Sequence, residues 1–364
     1  MTAHIINVVW GEKYVETLLE RSLPFQFSPG NLENFDGTYI LYTTVEDEKV
    51  IREHPHFKTL ESFLPVEFRT ITYEENPYAL MTTCHCDAIK QANAKGVPLI
   101  FLSPDSILSQ GLFSYLQENM DQGKRLVAIC SMRTSMEKME PHLAPFNYSP
   151  QALAKLALQN RHPYSEKSFI KEGKTLARPS QIYFSLDESN VLVRAFHLHP
   201  LLFWPRNQAI LPLITTDGPH FLERAIPNFE EWKVVTDCTR ISLFELSKES
   251  FLQEARVKPL TPFGFFRWAD VYVTPGHRFF AQHSIILGDG IENEKWEQPK
   301  QEADRLVASL EKAPLSFRLA KPFLILSFYL KKLGLILIGK KRFPLSKILS
   351  HLKYILKTRS IPFS

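Results

Sequence analysis

Across its first 130 residues this chain alternates segments that read as buried strands with segments that read as amphipathic helices. Residues 4–10 (HIINVVW), 37–44 (GTYILYTT), 66–72 (VEFRTIT), 98–102 (PLIFL) and 125–132 (RLVAICSM) are short apolar or β-branched runs. Between them, residues 12–23, 46–53, 78–96 and about 110–121 carry helical spacing. A strand that is apolar without alternation is covered on both faces, the usual condition of a parallel sheet. The order therefore predicts an α/β fold: a doubly wound, mostly parallel sheet flanked by helices. Ligands of such sheets settle in the crevice at the carboxyl ends of the strands. Trp10 to Glu12, Thr43 to Asp47, and Asp105 occupy those positions.

The chain's 364 residues are enough for a sizeable core, and 44% hydrophobic with 23% charged residues is an ordinary globular balance. Four cysteines (Cys84, Cys86, Cys130, Cys238) are too few and too scattered for a disulfide framework. Cys84-His85-Cys86 lacks the second ligand pair of a zinc motif. A reducing, cytosolic setting is expected. The start of the chain shows no basic stretch followed by an apolar one, the mark of a secretory leader. Neither GxGxxG nor GxxxxGK[ST] occurs, so a nucleotide, if bound, is held in some other way.

Charge is distributed unevenly. Residues 312–364 hold twelve Lys and Arg and no Asp or Glu, leaving 31 basic against 39 acidic residues before them, a balance of −8. The segment 345–357 (LSKILSHLKYILK) places Leu345, Ile348, Leu349, Leu352, Ile355 and Leu356 on one helical face. The apolar run at 322–339 is interrupted by Lys331 and Lys332, and a charge at mid-span costs ~2.5–3.5 kcal/mol. An in-plane amphipathic anchor on an anionic membrane surface is therefore expected through 312–364. The tail is too rich in Leu and Ile for a phosphate-tracking surface, so no nucleic-acid partner is expected.

Further along, residues 190–205 read as one strand, which puts His197 and His199 on the same face. Residues 217–227 read as a short helix starting at or near Asp217, residues 232–237 as a strand ending on Asp237, and residues 242–255 as a helix. Three regions are expected: 1–135, 136–311 and 312–364.

The stretch INVVWGEKYVETLLERSL resembles the opening strand and helix of GT-A nucleotide-sugar glycosyltransferases of the family-2-like kind. AIKQANAKGVPLIFLSPDSILSQGLFSYL resembles that family's N-x-G-x-x-x-A-x-G-x-[YL]-[IL]-x-F-L-D-x-D region, and the likeness covers roughly the first 135 residues. The family's Asp-x-Asp stands here as Ser103-Pro104-Asp105, so only the last carboxylate is kept.

The resemblance implies a nucleotide-sugar co-substrate bound by residues 1–135 and an acceptor and catalytic half over 136–311. Trp10, Glu12, Thr43, Glu46, Asp47, His85 and Ser103 become donor-side candidates. Asp105 becomes a ligand for Mn²⁺ or Mg²⁺, completed by His197 or His199, with His277 competing for that place. Asp217 becomes the general base of an inverting transfer, with Asp237 second to it. With the anchor, the expected acceptor is a glycan or lipid-linked saccharide at the cytoplasmic, inner face of a membrane. From the residues alone, Asp105 and Asp217 are equally good helix N-caps, Trp10 a core aromatic, Asp47 a solvated helix residue, and the histidines core or surface residues. The lost first Asp also leaves open a non-catalytic, membrane-associated assembly protein on a degenerate GT-A scaffold.

Overall fold

In the computed structural model, residues 2–71, 76–177, 179–213, 215–251, 254–290, 294–310, 315–321 and 323 are described. They belong to two units, Met1–Lys258 with Thr274–Gln301, and Pro259–Val273 with Glu302–Ser364. Nearly all of 312–364, on which the membrane-anchor expectation rests, lies outside the described residues.

The first unit is built on a seven-stranded sheet. Its strands in chain order are β1 (Ala3–Val8), β2 (Gly37–Thr43), β3 (Val66–Thr70), β4 (Leu99–Leu102), β5 (Leu126–Ile129), β6 (His199–Phe203) and β7 (Trp232–Val234). Across the sheet they run β7-β5-β6-β4-β1-β2-β3. β1, β4 and β5 are buried at every position, as unbroken apolar runs of a sheet covered on both faces should be. β1 pairs in parallel with β2 and β4, β2 with β3, and β5 with β7. β6 runs antiparallel to both β4 and β5. The arrangement is the predicted mixed α/β layout with a mostly parallel sheet.

Two small sheets adjoin it. One orders Ser106–Leu108, Leu243–Ser247 and Met132–Ser135; the other orders Ile285–Leu287, Val191–Ala195 and Gln181–Ser185. The second unit includes a helix, Pro262–Tyr272, whose Thr261 hydroxyl caps it by accepting from Gly264 N–H, and Phe317 sits against Phe263 and Phe266. Among the described residues no helix is long and apolar enough to cross a membrane.

Helix ends follow local chemistry. Asn76 accepts from the N–H groups of Tyr78 and Ala79 to start Pro77–Lys95, and Gly96, at φ 70°, ends it in the left-handed region. The helix Leu112–Asp121 starts differently. Its cap is the distant, buried Asn31, whose Oδ1 accepts from Leu112 N–H at 2.8 Å while its Nδ2 donates to Phe25 O and Ser109 O.

Several elements differ from expectation. The helix expected over 12–23 is α-helical at Glu12–Glu16, widens to a π-turn at Thr17–Ser22 and resumes at Leu23–Gln26. Pro24 has no N–H to return to the carbonyl one turn back, and the wider turn absorbs that loss. The single strand expected over 190–205 is two strands in different sheets, broken at Phe196–Leu198, so His197 and His199 do not share a strand face. The helix expected over 242–255 is instead the strand Leu243–Ser247, because Leu243, Phe244 and Leu246 find burial between two partner strands. No helix begins at Asp105, which stands in the turn between β4 and Ser106–Leu108. The helix Pro219–Ala225 is preceded by Gly218 and takes no side-chain cap, so Asp217 is not a cap either.

β2 begins on Gly37, where an added Cβ would lie 2.0 Å from the carbonyl oxygen of Ala3. That contact is backbone in a core ladder and cannot yield cheaply. Gly37→Ala is expected to cost about 1–3 kcal/mol, read as a lower urea midpoint at unchanged slope. An unchanged midpoint would contradict the close approach of β1 and β2.

Candidate active site

The carboxyl ends of the parallel strands share one edge of the sheet, and the reversed β6 brings its amino end to that same edge. His197, Leu198 and His199 therefore arrive beside the residues that follow β4 and β5. Next to them, the sheet formed by Ser106–Leu108, Leu243–Ser247 and Met132–Ser135 fixes a second group by register. Glu245 stands opposite Ser106 on one side and Arg133 on the other. Arg133 Nη2 lies 2.8 Å from Glu245 Oε2, its Nη1 donates to Ser247 Oγ at 2.7 Å, and Ser131 Oγ donates to Glu245 Oε1 at 2.8 Å.

These elements enclose a cavity of about 220 Å³, lined by Ser131, Arg133, Tyr164, Ser165, Ser168, Ser180, Gln181, Tyr183, His197, Leu198, His199, Asp217 and Glu245. Of the residues singled out from sequence, His197, His199 and Asp217 line it. Arg133, Glu245 and Tyr164 were not singled out. Glu245 was hidden inside a predicted helix, and Arg133 lay one residue past a predicted strand.

Asp105 joins this group electrostatically. Its carboxyl is raised to about 6, first by burial and then by the like charge of Glu245, while Arg133 and the Ser103 hydroxyl pull the other way. The backbone of its turn is pinned, since Asp105 O accepts from Leu246 N–H at 2.9 Å. Ser103, which stands where the resembled family has its first Asp, bonds Ser106 Oγ at 2.7 Å and backs Asp105. Tyr14 is also within electrostatic reach of Asp105.

Two of the histidines, His277 and His197, are bonded to each other. Thr274 N–H donates to His277 Nδ1 at 3.1 Å, which leaves the proton on Nε2, 3.2 Å from His197 Nε2. His197 in turn meets the backbone of Asp217. Burial, then His197 and His220, push His277 down to about 3. His199 Nε2 lies 2.7 Å from Phe101 O and so carries its proton there. His85, packed edge-on to Phe101 at 5.0 Å, is pushed down to about 4 by burial and then by His199, with Asp217 opposing. Its Nδ1 is buried and makes no hydrogen bond.

The remaining candidates lie around the same sheet edge with other partners. Asp47 Oδ2 accepts from Gly11 N–H at 2.8 Å and from Thr44 Oγ1 at 2.9 Å, tying the loop after β1 to the loop after β2. Thr43 is fully buried, Trp10 packs partly buried on the core, and Glu12 and Glu46 are exposed. Asp237 accepts from Thr239 N–H and Oγ1, both at 2.7 Å, and lines a separate cavity of about 130 Å³ with Tyr115, Glu118 and Arg240.

The carboxylates Asp105 and Glu245 are a hard-oxygen pair whose mutual repulsion a divalent cation would relieve, so this donor chemistry fits Mg²⁺ or Mn²⁺. Asp105, His197 and His199 do not together bring three ligand atoms within 4.8 Å of one another. Among the described residues, only Glu20, His54 and His56 bring three ligand atoms within 4.8 Å of one another.

No family model matches the sequence, and no curated protein does. Solved structures similar to the chain include S. aureus TarS, at 12% identity over 74% of this chain, with a TM-score of 0.33. The chain spans 38% of the length of that TarS chain. TarS 1-349 in complex with UDP-GlcNAc is 12% identical over 87% of this chain and 73% of its own, with a TM-score of 0.38. Mouse xyloside xylosyltransferase 1, apo form, is 9% identical over 40% of this chain and 60% of its own, with a TM-score of 0.28. The mixed α/β fold, with its mostly parallel sheet, is the layout that the order of strands and helices predicted.

The raised Asp105 pKa has a stability signature. Folding favours the protonated carboxyl, so its contribution is fully present below the ordinary value of 3.8 and is lost as pH rises through about 6. In chelator-treated protein, the urea midpoint of Asp105→Asn should therefore rise relative to the wild type between about pH 4 and about pH 7. A difference that stays flat over that range would refute the assignment.

Proposed function

We propose that the chain is a glycosyltransferase that moves a sugar from a nucleotide-sugar donor to an acceptor hydroxyl in this crevice. The observation that carries the reading is the convergence of Arg133, Glu245, Asp217 and the histidines on one cavity beside Asp105, at the carboxyl edge of the sheet. At about 220 Å³ the cavity is below the ~300–1,000 Å³ of pockets that hold a whole drug-sized ligand. It suits one part of the donor, with the remainder lying along the open loops after β1 and β2.

In the transfer, the acceptor oxygen bonds to the anomeric carbon as the bond from that carbon to the diphosphate breaks. The Asp217 carboxylate takes the acceptor's proton in a single, inverting displacement. Arg133 faces the negative charge that gathers on the leaving diphosphate, held in place by Glu245 and Ser247. Asp105 and Glu245 are the residues that would hold Mg²⁺ or Mn²⁺, which neutralises further leaving-group charge. The neutral His277–His197 pair fixes the segment around Asp217 without adding charge.

Calorimetric titration with a panel of nucleotide sugars, with and without Mn²⁺, tests the reading. Asp105→Ala is expected to weaken donor binding at least about tenfold, and Asp217→Asn to lower turnover about 10²–10⁴-fold with little effect on binding. Failure of every donor to bind would favour the non-catalytic assembly protein instead.

The acceptor is proposed to be membrane-associated, with 312–364 lying in the plane of an anionic surface at its cytoplasmic face. What supports this is the twelve basic residues without an acidic one, on segments rich in Leu and Ile. Each Lys or Arg near such a surface contributes about 1 kcal/mol. Full-length protein should float with anionic liposomes, and a version ending at Lys312 should not. Equal flotation of the two would remove the anchor.

A further inference from the structure

We infer that Glu20, His54 and His56 form a binding site for a transition-metal cation of the zinc class, apart from the crevice. Glu20 sits in the π-turn Thr17–Ser22; His54 is the junction between the helices Val45–Glu53 and Pro55–Phe63, and His56 lies in the first turn of the second. One ligand atom from each lies within 4.8 Å of the others. None of the three lines the cavity beside Asp105.

The hydrogen bonds fix which nitrogens are available. His54 Nδ1 accepts from His56 N–H at 3.2 Å, so its proton is on Nε2, which reaches Glu20 Oε1 at 2.7 Å. His56 Nδ1 lies 2.8 Å from the Leu19 carbonyl, which can only accept, so that nitrogen carries the proton and Nε2 presents a bare lone pair. An imidazole whose N–H is held by a backbone carbonyl is the outer-shell arrangement that orients metal-ligating histidines. Two imidazoles with one carboxylate is a donor set that selects zinc-class ions over Mg²⁺ and Ca²⁺, which take oxygen ligands.

The geometry needs little change. Bonds of about 2.0–2.1 Å at a tetrahedral centre separate ligand atoms by about 3.3 Å, so the Glu20–His54 contact must open by roughly 0.6 Å. The Glu20 side chain is 51% exposed and can swing that far. On binding, the His54 proton moves from Nε2 to Nδ1, which gives up the bond from His56 N–H, and the metal takes the freed Nε2 lone pair, with water as the fourth ligand. The ion would tie the widened turn after β1 to the corner between two helices, at a place where Pro24 has already interrupted the helix ladder.

The test uses the full, chelator-stripped chain titrated with Zn²⁺ by calorimetry, and with Co²⁺ followed by its visible absorption. One ion per chain is expected. His54→Asn keeps the helix cap and His56→Asn keeps a donor for Leu19 O, so both variants should fold, which far-ultraviolet circular dichroism checks. Each should weaken binding by about tenfold or more, and the double variant should abolish it, while Asp105→Ala binds as the wild type does. No uptake by the wild type, unchanged uptake by the folded double variant, or loss on Asp105→Ala would each overturn the assignment.

Discussion

Strand β6 takes its ladder partners from β4 on one side and β5 on the other, and it runs against both. In a wholly parallel sheet, every strand delivers a carboxyl end and the loop after it to the binding edge. Here one position delivers an amino end. The chain therefore enters that edge through Phe196–Leu198 and then descends into the core, which seats His197 and His199 among residues that follow other strands. Without the reversal, the cavity would lack one wall, and Asp217, which meets His197 through its backbone, would lose its support.

The second determinant is the register of the small sheet beyond that edge. Pairing Glu245 with Arg133 and Ser106 across adjacent strands makes a charge ladder in partly buried surroundings. The same pairing places a second carboxylate near Asp105, so the site holds more negative charge than Arg133 alone balances. An excess of that kind is costly in an empty protein and useful toward a cation or a developing proton transfer. Ser103 softens it: a carboxylate there would have added a third like charge to the turn.

Much of this architecture was legible in the sequence where burial on both faces left a plain mark. The runs of β1, β4 and β5 are apolar throughout, and Asn76 with Gly96 brackets its helix by side-chain and backbone chemistry alone. Other parts were not legible, for physical reasons. Leu243, Phe244 and Leu246 suit a helical face as well as a strand, and only the partner strands decide between them, so Glu245 stayed hidden. The break at Phe196–Leu198 has no Gly or Pro to announce it. His197 and His199 were expected together as neighbours on one strand face; they meet instead because a bend and a strand start open onto the same space. Asp105 could be read either as a cap or as a strand-end carboxylate, and the absence of any helix start at that residue removes the first reading.

Asn31 has a bearing on how the chain reaches this state. The helix Leu112–Asp121 has no start signal of its own beyond a glycine; its first N–H groups are met by a side chain some eighty residues earlier, which is itself held by the carbonyls of Phe25 and Ser109. Such a helix gains its opening turn only after the Asn31 loop has docked, and short helices without that help are marginal in water. The helix after the Asp105 turn is thus completed by contacts distant in sequence rather than by local propensity.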